Sequence, residues 1–273
     1  MAGQLTDKAV LVIGAGASAP GWGIGRAITA QFVRAGADVL AVDNDPDRLA
    51  ETVRLIADEG GACQTAVADA TSLADMERVV RLSVDTFGRI DVLQYNVGGG
   101  GPGGLLETTE ADWHRLLTLN LTSAFLAAKA VLPPMLQAGN GVLTFISSVA
   151  GFRPVAGSSP AYHAAKAGLI QLSRVIALDH AAQGIRANCI LPGYVDTPEI
   201  RRRIGARFGG NRMEEIMQRR AATIPSGRAA TVWDIAHAAV FLAGDAARQI
   251  SGTELVIDGT QTLQSAPPYM PQP

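Results

Sequence analysis

The chain is short of several things, and each shortage narrows what it does. It has two cysteines, Cys63 and Cys189, far apart in 273 residues. Distant thiols in strand-like runs are read as reduced core residues of a cytoplasmic protein rather than as a disulfide. The four histidines (His114, His163, His180 and His237) lack metal-ligand spacing, so no metal site is expected. Charge is nearly balanced, 23 Lys+Arg against 25 Asp+Glu, for a formal net charge of −2. That gives no electrostatic reason for nucleic acid or an anionic membrane as a partner. The opening MAGQLTDKAVLVIG lacks a basic segment followed by an apolar stretch and a cleavage site. No apolar run reaches the ~18 residues of a membrane span. A cytoplasmic protein with neither nucleic acid nor membrane among its partners is expected.

What is present is apolar: 48% hydrophobic against 18% charged, with chain enough for a sizeable core. KAVLVI (8–13), DVLAVD (38–43), ACQTAVAD (62–69), IDVLQYN (90–96), GVLTFIS (141–147), IRANCIL (185–191) and TELVID (253–258) read as strands. Helical patterns separate them: GIGRAITAQFVRAG ending at Gly36, PDRLAETVRLIADEGG with Pro46 near its start, and SLADMERVVRLSVDTFG (72–88). Further helices are predicted over about 109–136, ended or kinked by Pro133-Pro134, over about 160–183, and over 231–244. Strand–helix alternation with strands apolar on both faces predicts an α/β fold whose parallel sheet is covered on both sides. Residues 197–225 read as a lid of one or two short helices. The Pro-rich tail 265–273 reads as disordered or laid over a neighbouring subunit. With no internal repeat and no linker, residues 1–273 are read as one domain.

The strand ends carry the chemistry. The first strand runs into a glycine-rich turn from Gly14 to Gly25, and a helix follows. Glycines there let backbone N–H groups and a helix dipole meet a pyrophosphate. Asp43 ends the second strand, 18 residues after Gly25, where a carboxylate can accept from both ribose hydroxyls of an adenosine. It would repel a 2′-phosphate, and Asn44 supplies no compensating charge, so NAD is favoured over NADP. Asp45 is the better-placed cap for the next helix, which leaves Asp43 free for the ligand. Asp69, followed by Ala70, ends the third strand and meets the adenine amino group or serves as a turn residue. Asn96-Val97-Gly98 ends the fourth, and GGGGPGG (98–104) follows as a hinge or a close approach to a ligand. Ligands of open parallel sheets bind at such carboxyl ends.

Tyr162 and Lys166 stand four residues apart in a helical run, one turn apart on one face. A nearby ammonium favours the ionised phenol, which otherwise titrates near ~10, and so makes it usable as a proton carrier. The plain alternative is a buried tyrosine beside a snorkelling lysine.

Together these residues resemble the short-chain dehydrogenases/reductases over about residues 5–260. The turn is similar to the family's TGxxxGxG at Gly14, Gly23 and Gly25, Asn96-Val97-Gly98 to its NNAG, and Asn120 to its mid-helix asparagine. Ser148 matches the serine after the fifth strand, and Tyr162 with Lys166 matches YxxxK. Pro192-Gly193 with Thr197 matches the PG motif and its threonine, and ISGTELVIDGT (250–260) the closing strand. Three departures stand out. The turn is five residues longer than usual, with Ile13 in place of a threonine before it. Tyr95 replaces the first Asn of NNAG, and Val97 replaces its alanine.

The resemblance implies an α/β, Rossmann-like doubly wound parallel sheet of about seven strands with helices on both faces. It implies an NAD-dependent oxidoreductase that interconverts a secondary alcohol and a ketone by hydride transfer. Tyr162 would be the general acid/base. Lys166 would lower its pKa and hold the nicotinamide ribose. Ser148, with Ser147 as rival, would bond the substrate oxygen, and Asn120 would position a water leading from Lys166 to solvent. The implied cofactor site takes in Gly14, Gly23, Ile24, Gly25, Asp43, Asp69, Ala70, Asn96, Gly98, Tyr162, Lys166, Pro192, Val195 and Thr197. Thr197 caps the lid or approaches the carboxamide. The lid's arginines form a solvated face, or one of them meets an anionic substrate group. The expected partners are a small-molecule alcohol or ketone and further copies of the chain, as a tetramer; the apolar helix 231–244 and strand 253–258 fit such an interface. Alternatives are an NADPH-dependent ketone or 3-oxoacyl thioester reductase, a non-catalytic nucleotide-binding protein, and an epimerase or dehydratase on the same scaffold.

Overall fold

Runs of apolar and β-branched residues form seven strands: β1 (Ala9–Ile13), β2 (Asp38–Asp43), β3 (Gln64–Val67), β4 (Val92–Tyr95), β5 (Gly141–Ile146), β6 (Ile185–Pro192) and β7 (Glu254–Ile257). The computed structural model describes residues 3–101, 103–155, 158–208 and 212–264, so the Pro-rich tail and Pro102 lie outside the described residues. All neighbouring strands pair in parallel, in the order β3-β2-β1-β4-β5-β6-β7. β1, β4 and β5 are buried along their whole lengths, as the doubly apolar pattern requires. β3 departs from that expectation. Gln64, Thr65 and Val67 are exposed because β3 is an edge, and half-buried Cys63 lies just before it rather than in it.

Helices cover both faces. α1 (Ile24–Arg34) and α9 (Val232–Ala243) pack together on one side, with Ala27, Ile28 and Phe32 against Ile235, Ala239 and Val240 in one core. α3 (Leu73–Phe87), α5 (Ser123–Ala138) and α6 (Pro160–His180) cover the other side. α2 (Pro46–Ala57) returns the chain from β2 to β3. Its start is local chemistry: Asp45 accepts from the N–H groups of Asp47 and Arg48, and Pro46 sits in the first turn. Thr231 and Asp234 form a reciprocal capping box on α9. The lid contains two helices, α7 (Pro198–Phe208) and α8 (Met213–Ala222). The chain winds outward from β1 in one direction and from β4 in the other, which opens a crevice beyond their carboxyl ends.

Two expectations about the long helix need correcting. Of the two outcomes expected for Pro133-Pro134, an end or a kink, the end does not occur: α5 continues to Ala138, and Gly139 closes it with a φ of +64°. The carbonyls that lose their donors belong to exposed Lys129 and half-buried Ala130, at positions open to solvent. The helix is also longer than any apolar run seen in the sequence. α4 (Glu110–Leu117), a π-helical turn (Thr118–Thr122) and α5 form one rod, Glu110–Ala138, with the length and hydropathy of a membrane span. Ala124, Ala127, Ala128, Val131 and Met135 are buried against the sheet, which is the packing of a core helix.

Tyr95 explains the π turn. It replaces an asparagine of the family motif, is fully buried at the end of β4, and donates its hydroxyl proton to Ser123 Oγ. Ser123 Oγ donates in turn to Leu119 O, and the Ser123 N–H reaches back to Thr118 O. Burial pushes the Tyr95 phenol well above its ordinary value, so it stays a neutral donor. Tyr95→Phe should lower the free energy of urea unfolding by about 1 kcal/mol, the loss of one buried neutral hydrogen bond. An unchanged midpoint would remove this role.

Candidate active site

A cleft of about 940 Å³ opens over the carboxyl ends of the strands. Of the residues singled out from sequence, Gly14, Gly23, Ile24, Gly25, Asp43, Asp69, Ala70, Asn96, Gly98, Ser148, Tyr162, Lys166, Pro192, Val195 and Thr197 all line it. Asn120 lies one layer behind, fully buried in the π turn. Its Oδ1 accepts from the Gly99 N–H, and its Nδ2 donates to Gly99 O and Leu116 O.

At the nucleotide end, Gly14 takes a φ of +84°, and a Cβ on Gly25 would overlap the Gly14 carbonyl. The first turn of α1 follows, capped by no side chain and carrying no acid, so its N–H groups and dipole face an incoming anion. These features fit a dinucleotide pyrophosphate. Asp43 also lines this end, but its carboxylate is partly engaged. Oδ2 accepts from the Gly16 N–H at 2.9 Å and Oδ1 from the Asp45 N–H at 3.3 Å. The expectation of a carboxylate free for the ligand is corrected to one held in place by two backbone donors, with remaining lone pairs for ribose hydroxyls. Asp69 takes the turn role: Oδ1 accepts from both the N–H and the hydroxyl of Thr71 at 2.8 Å.

At the other end, α6 places Tyr162 half-buried in the cleft and Lys166 beneath it. Lys166 Nζ lies 5.7 Å from the Tyr162 ring centroid and donates to Ile146 O at 3.0 Å. A Cβ on Gly98 would come within 2.9 Å of that nitrogen and 2.8 Å of Asn120 Oδ1, so Gly98 is where lysine, asparagine and the end of β4 meet. Burial pulls the ammonium down to about 8, which leaves it protonated at pH 7. The two serines divide cleanly. Both line the cleft, but Ser147 is buried with its Oγ donating to Lys166 O, whereas Ser148 is half-buried and its Oγ accepts from the Ala150 N–H. Thr197 Oγ1 accepts from the Ile200 N–H and caps α7 while also lining the cleft. His163 holds the facing loop: its Nε2 accepts from the Val155 N–H, and its Nδ1 meets Ser159 O.

Known proteins are similar to this chain in sequence and fold. A family model described as "Enoyl-(Acyl carrier protein) reductase" matches residues 17–262. The chain belongs to the short-chain dehydrogenase/reductase family. "Dehydrogenase/reductase SDR family member 6" of Xenopus laevis is 38% identical, over 96% of this chain and 100% of that protein. "2-(S)-hydroxypropyl-CoM dehydrogenase 3" of Xanthobacter autotrophicus is 32% identical over 96% and 99%. A Burkholderia xenovorans protein described as a short-chain dehydrogenase/reductase superimposes with a TM-score of 0.92 at 43% identity, covering 97% of this chain and all of that one. The family comprises oxidoreductases that act on alcohol groups with a nicotinamide nucleotide, and the doubly wound sheet is its Rossmann-like fold.

Arg26 and Arg48 escaped the sequence reading. Arg26, 1% exposed, organises the lengthened turn. It donates to Ala19 O and Gly21 O through Nη1, to Thr52 Oγ1 through Nε, and pairs with Glu51 at 2.7 Å. Glu51 Oε1 also accepts from the Gly21 N–H. The five extra residues are thus closed onto α2 by one buried guanidinium. Trp22 in the same turn packs against Trp233 of α9, with ring centroids 5.0 Å apart and planes tilted by 57°, and Ser18 donates to Glu199 of the lid. No local pattern signals Arg26, because α1 is buried almost all round. Arg48 is the second: it lines the cleft beside Asp43 and pairs with Asp45. Arg26→Met should lower unfolding free energy by about 2–3 kcal/mol, below the full cost of orphaning a buried partner because Glu51 is partly exposed. A loss under about 0.5 kcal/mol, within the range of an ordinary surface substitution, would show that the turn stands without it.

Proposed function

We propose that the protein is an NAD-dependent dehydrogenase/reductase that interconverts a secondary alcohol and a ketone. The observation that carries this is one cleft lined by Ser148, Tyr162 and Lys166 at one end and by the α1 N-terminus and Asp43 at the other. The nicotinamide, when bound, supplies the hydride chemistry. The chain's residues position and move the proton. Tyr162 takes the hydroxyl proton in oxidation and returns it in reduction. Ser148 donates to the substrate oxygen and fixes its distance from the phenol. Lys166 favours the phenolate and holds the cofactor's ribose hydroxyls, and Asn120 keeps Gly98–Gly99 and the lysine's surroundings in register. Asp43 accepts from the adenosine ribose, which favours NAD. The protein works in the cytoplasm as a homo-oligomer, a tetramer. Helix 231–244 spends most of its apolar residues on the core against α1 but leaves Phe241 exposed; with exposed Val256 of β7, Phe125 of α5 and Leu178 of α6 it supports assembly.

A second reading, an NADPH-dependent reductase, is favoured by Arg48, a cation next to Asp43 that could meet a 2′-phosphate. Separate fluorescence titrations with NADH and NADPH decide between them. Tighter NADH binding, lost in Asp43→Ala, is expected; tighter NADPH binding would transfer the role to Arg48.

The direct assay is a panel of secondary alcohols with NAD, followed by absorbance of the reduced cofactor. Tyr162→Phe should reduce turnover by roughly 10²–10⁴, the usual worth of general acid–base help. A variant with full turnover would refute the assignment. The oxidation rate should rise with pH as the phenol ionises, and Lys166→Met should move the midpoint of that rise upward by about 1–3 units. The sign follows from the charge: removing a cation makes the phenolate harder to form.

A further inference from the structure

Among the described side chains, the lid's arginines are of two kinds. Arg201 pairs with Asp196 at 2.6 Å and Glu214 at 3.2 Å, and Arg202 pairs with Glu199 at 3.0 Å. Arg212 and Arg219 share Glu215 at 3.5 and 2.7 Å. These exposed pairs hold the lid's own elements to one another. Arg220 is different: among the described residues it has no carboxylate within ion-pair distance, and it lines the cleft. Its guanidinium carbon lies 5.5 Å from the ring centroid of Tyr194, a residue that follows β6 and also lines the cleft. Tyr194 is itself fixed, with its hydroxyl on Met217 Sδ and its N–H on Gln261 Oε1. A planar cation held against an aromatic face has part of its conformational entropy already spent, so less is lost when it binds a ligand.

The other cations of the cleft are committed. Lys166 is buried on Ile146 O, and Arg48 pairs with Asp45 at the nucleotide end. The acid on the lid side, Glu199, is already matched by Arg202 and Ser18. Among the described residues, a substrate anion would therefore meet one uncompensated charge there, that of Arg220, with Thr223 beside it on the cleft wall.

We propose that Arg220 binds an oxyanion, such as a carboxylate, carried by the substrate away from its reacting carbon, so that the site selects hydroxy and oxo acids over neutral alcohols and ketones. This rests on the alcohol–ketone reading of the cleft and names the substrate class within it. The guanidinium presents paired N–H donors to the two oxygens, a geometry no neutral isostere reproduces. It also ties α8 to the occupied site, so an anionic substrate holds the lid while a neutral one does not.

The test is calorimetry on the protein saturated with oxidised cofactor, NAD+ or NADP+ according to which binds more tightly. A ketone can dock there without reacting. The probes are 2-oxobutanoate, 3-oxobutanoate, 4-oxopentanoate and 5-oxohexanoate, each against its carboxamide. At one or more chain lengths the acid should bind at least about tenfold more tightly than its amide. Arg220→Gln should bring that ratio to near one, and Arg220→Lys should keep part of it. The ratio is internal to each preparation, so a partly unfolded variant cannot mimic its loss. No preference for the acid at any length in the wild type, absence of binding included, overturns the proposal. So does a preference that survives Arg220→Gln. Neutral secondary alcohols oxidised with no acid preference would sink this inference alone, whereas a wild-type protein that transfers hydride to or from none of the acids, alcohols or ketones would sink the alcohol–ketone reading with it.

Discussion

A buried ammonium beneath a phenol is the constraint on which the rest depends. Placing Lys166 at 3% exposure costs solvation free energy that one carbonyl contact, to Ile146, offsets only in part. The surroundings make that position hold. Ser147 grips the Lys166 carbonyl from β5, and Gly151 packs so closely on the same peptide that a Cβ there would be 2.6 Å from its oxygen. Gly98 admits the ammonium from the β4 side, and Asn120 fastens the backbone that follows it. The π turn that presents Asn120 is itself held by Tyr95 and Ser123. Strand ends, helix irregularity and glycine placement thus converge on one cation.

The opposite end of the cleft answers to a second buried cation. Arg26 closes the lengthened glycine turn against α2, and the turn then touches α9 through Trp22 and the lid through Ser18. Extra length in a phosphate-binding turn would ordinarily loosen it, because each added residue brings conformational entropy. Here the added carbonyls become ligands of a guanidinium, so the glycines nearest α1 keep their place. The turn also becomes the point where nucleotide end and lid meet.

Much of this was legible in the sequence because its causes are local. Doubly apolar strands report a covered sheet, and Gly14, Asp43 and Asn96 report strand ends facing a ligand. The i,i+4 spacing of Tyr162 and Lys166 reports a shared helix face, and Asp45 its own cap. What was not legible depends on partners distant in sequence. Arg26 reads as one more helical residue until α2 arrives beside it, and Arg48 is invisible to an argument that stops at Asn44. The two prolines in α5 looked like a boundary because their cost depends on whether water reaches Lys129 and Ala130. Helix 231–244 divides its apolar residues between the core against α1 and an exposed Phe241, a division that apolarity alone does not reveal. Nor could Arg220 be told from Arg201, Arg202 and Arg219 before their acid partners were placed.

The most direct measurement is a tyrosine titration by ¹³C NMR, with the Tyr162 signal assigned by its absence from Tyr162→Phe. The account predicts that the Tyr162 phenol ionises well below the ordinary value near ~10 and moves upward in Lys166→Met. A Tyr162 phenol that titrates at or above that value, with or without the lysine, would contradict it.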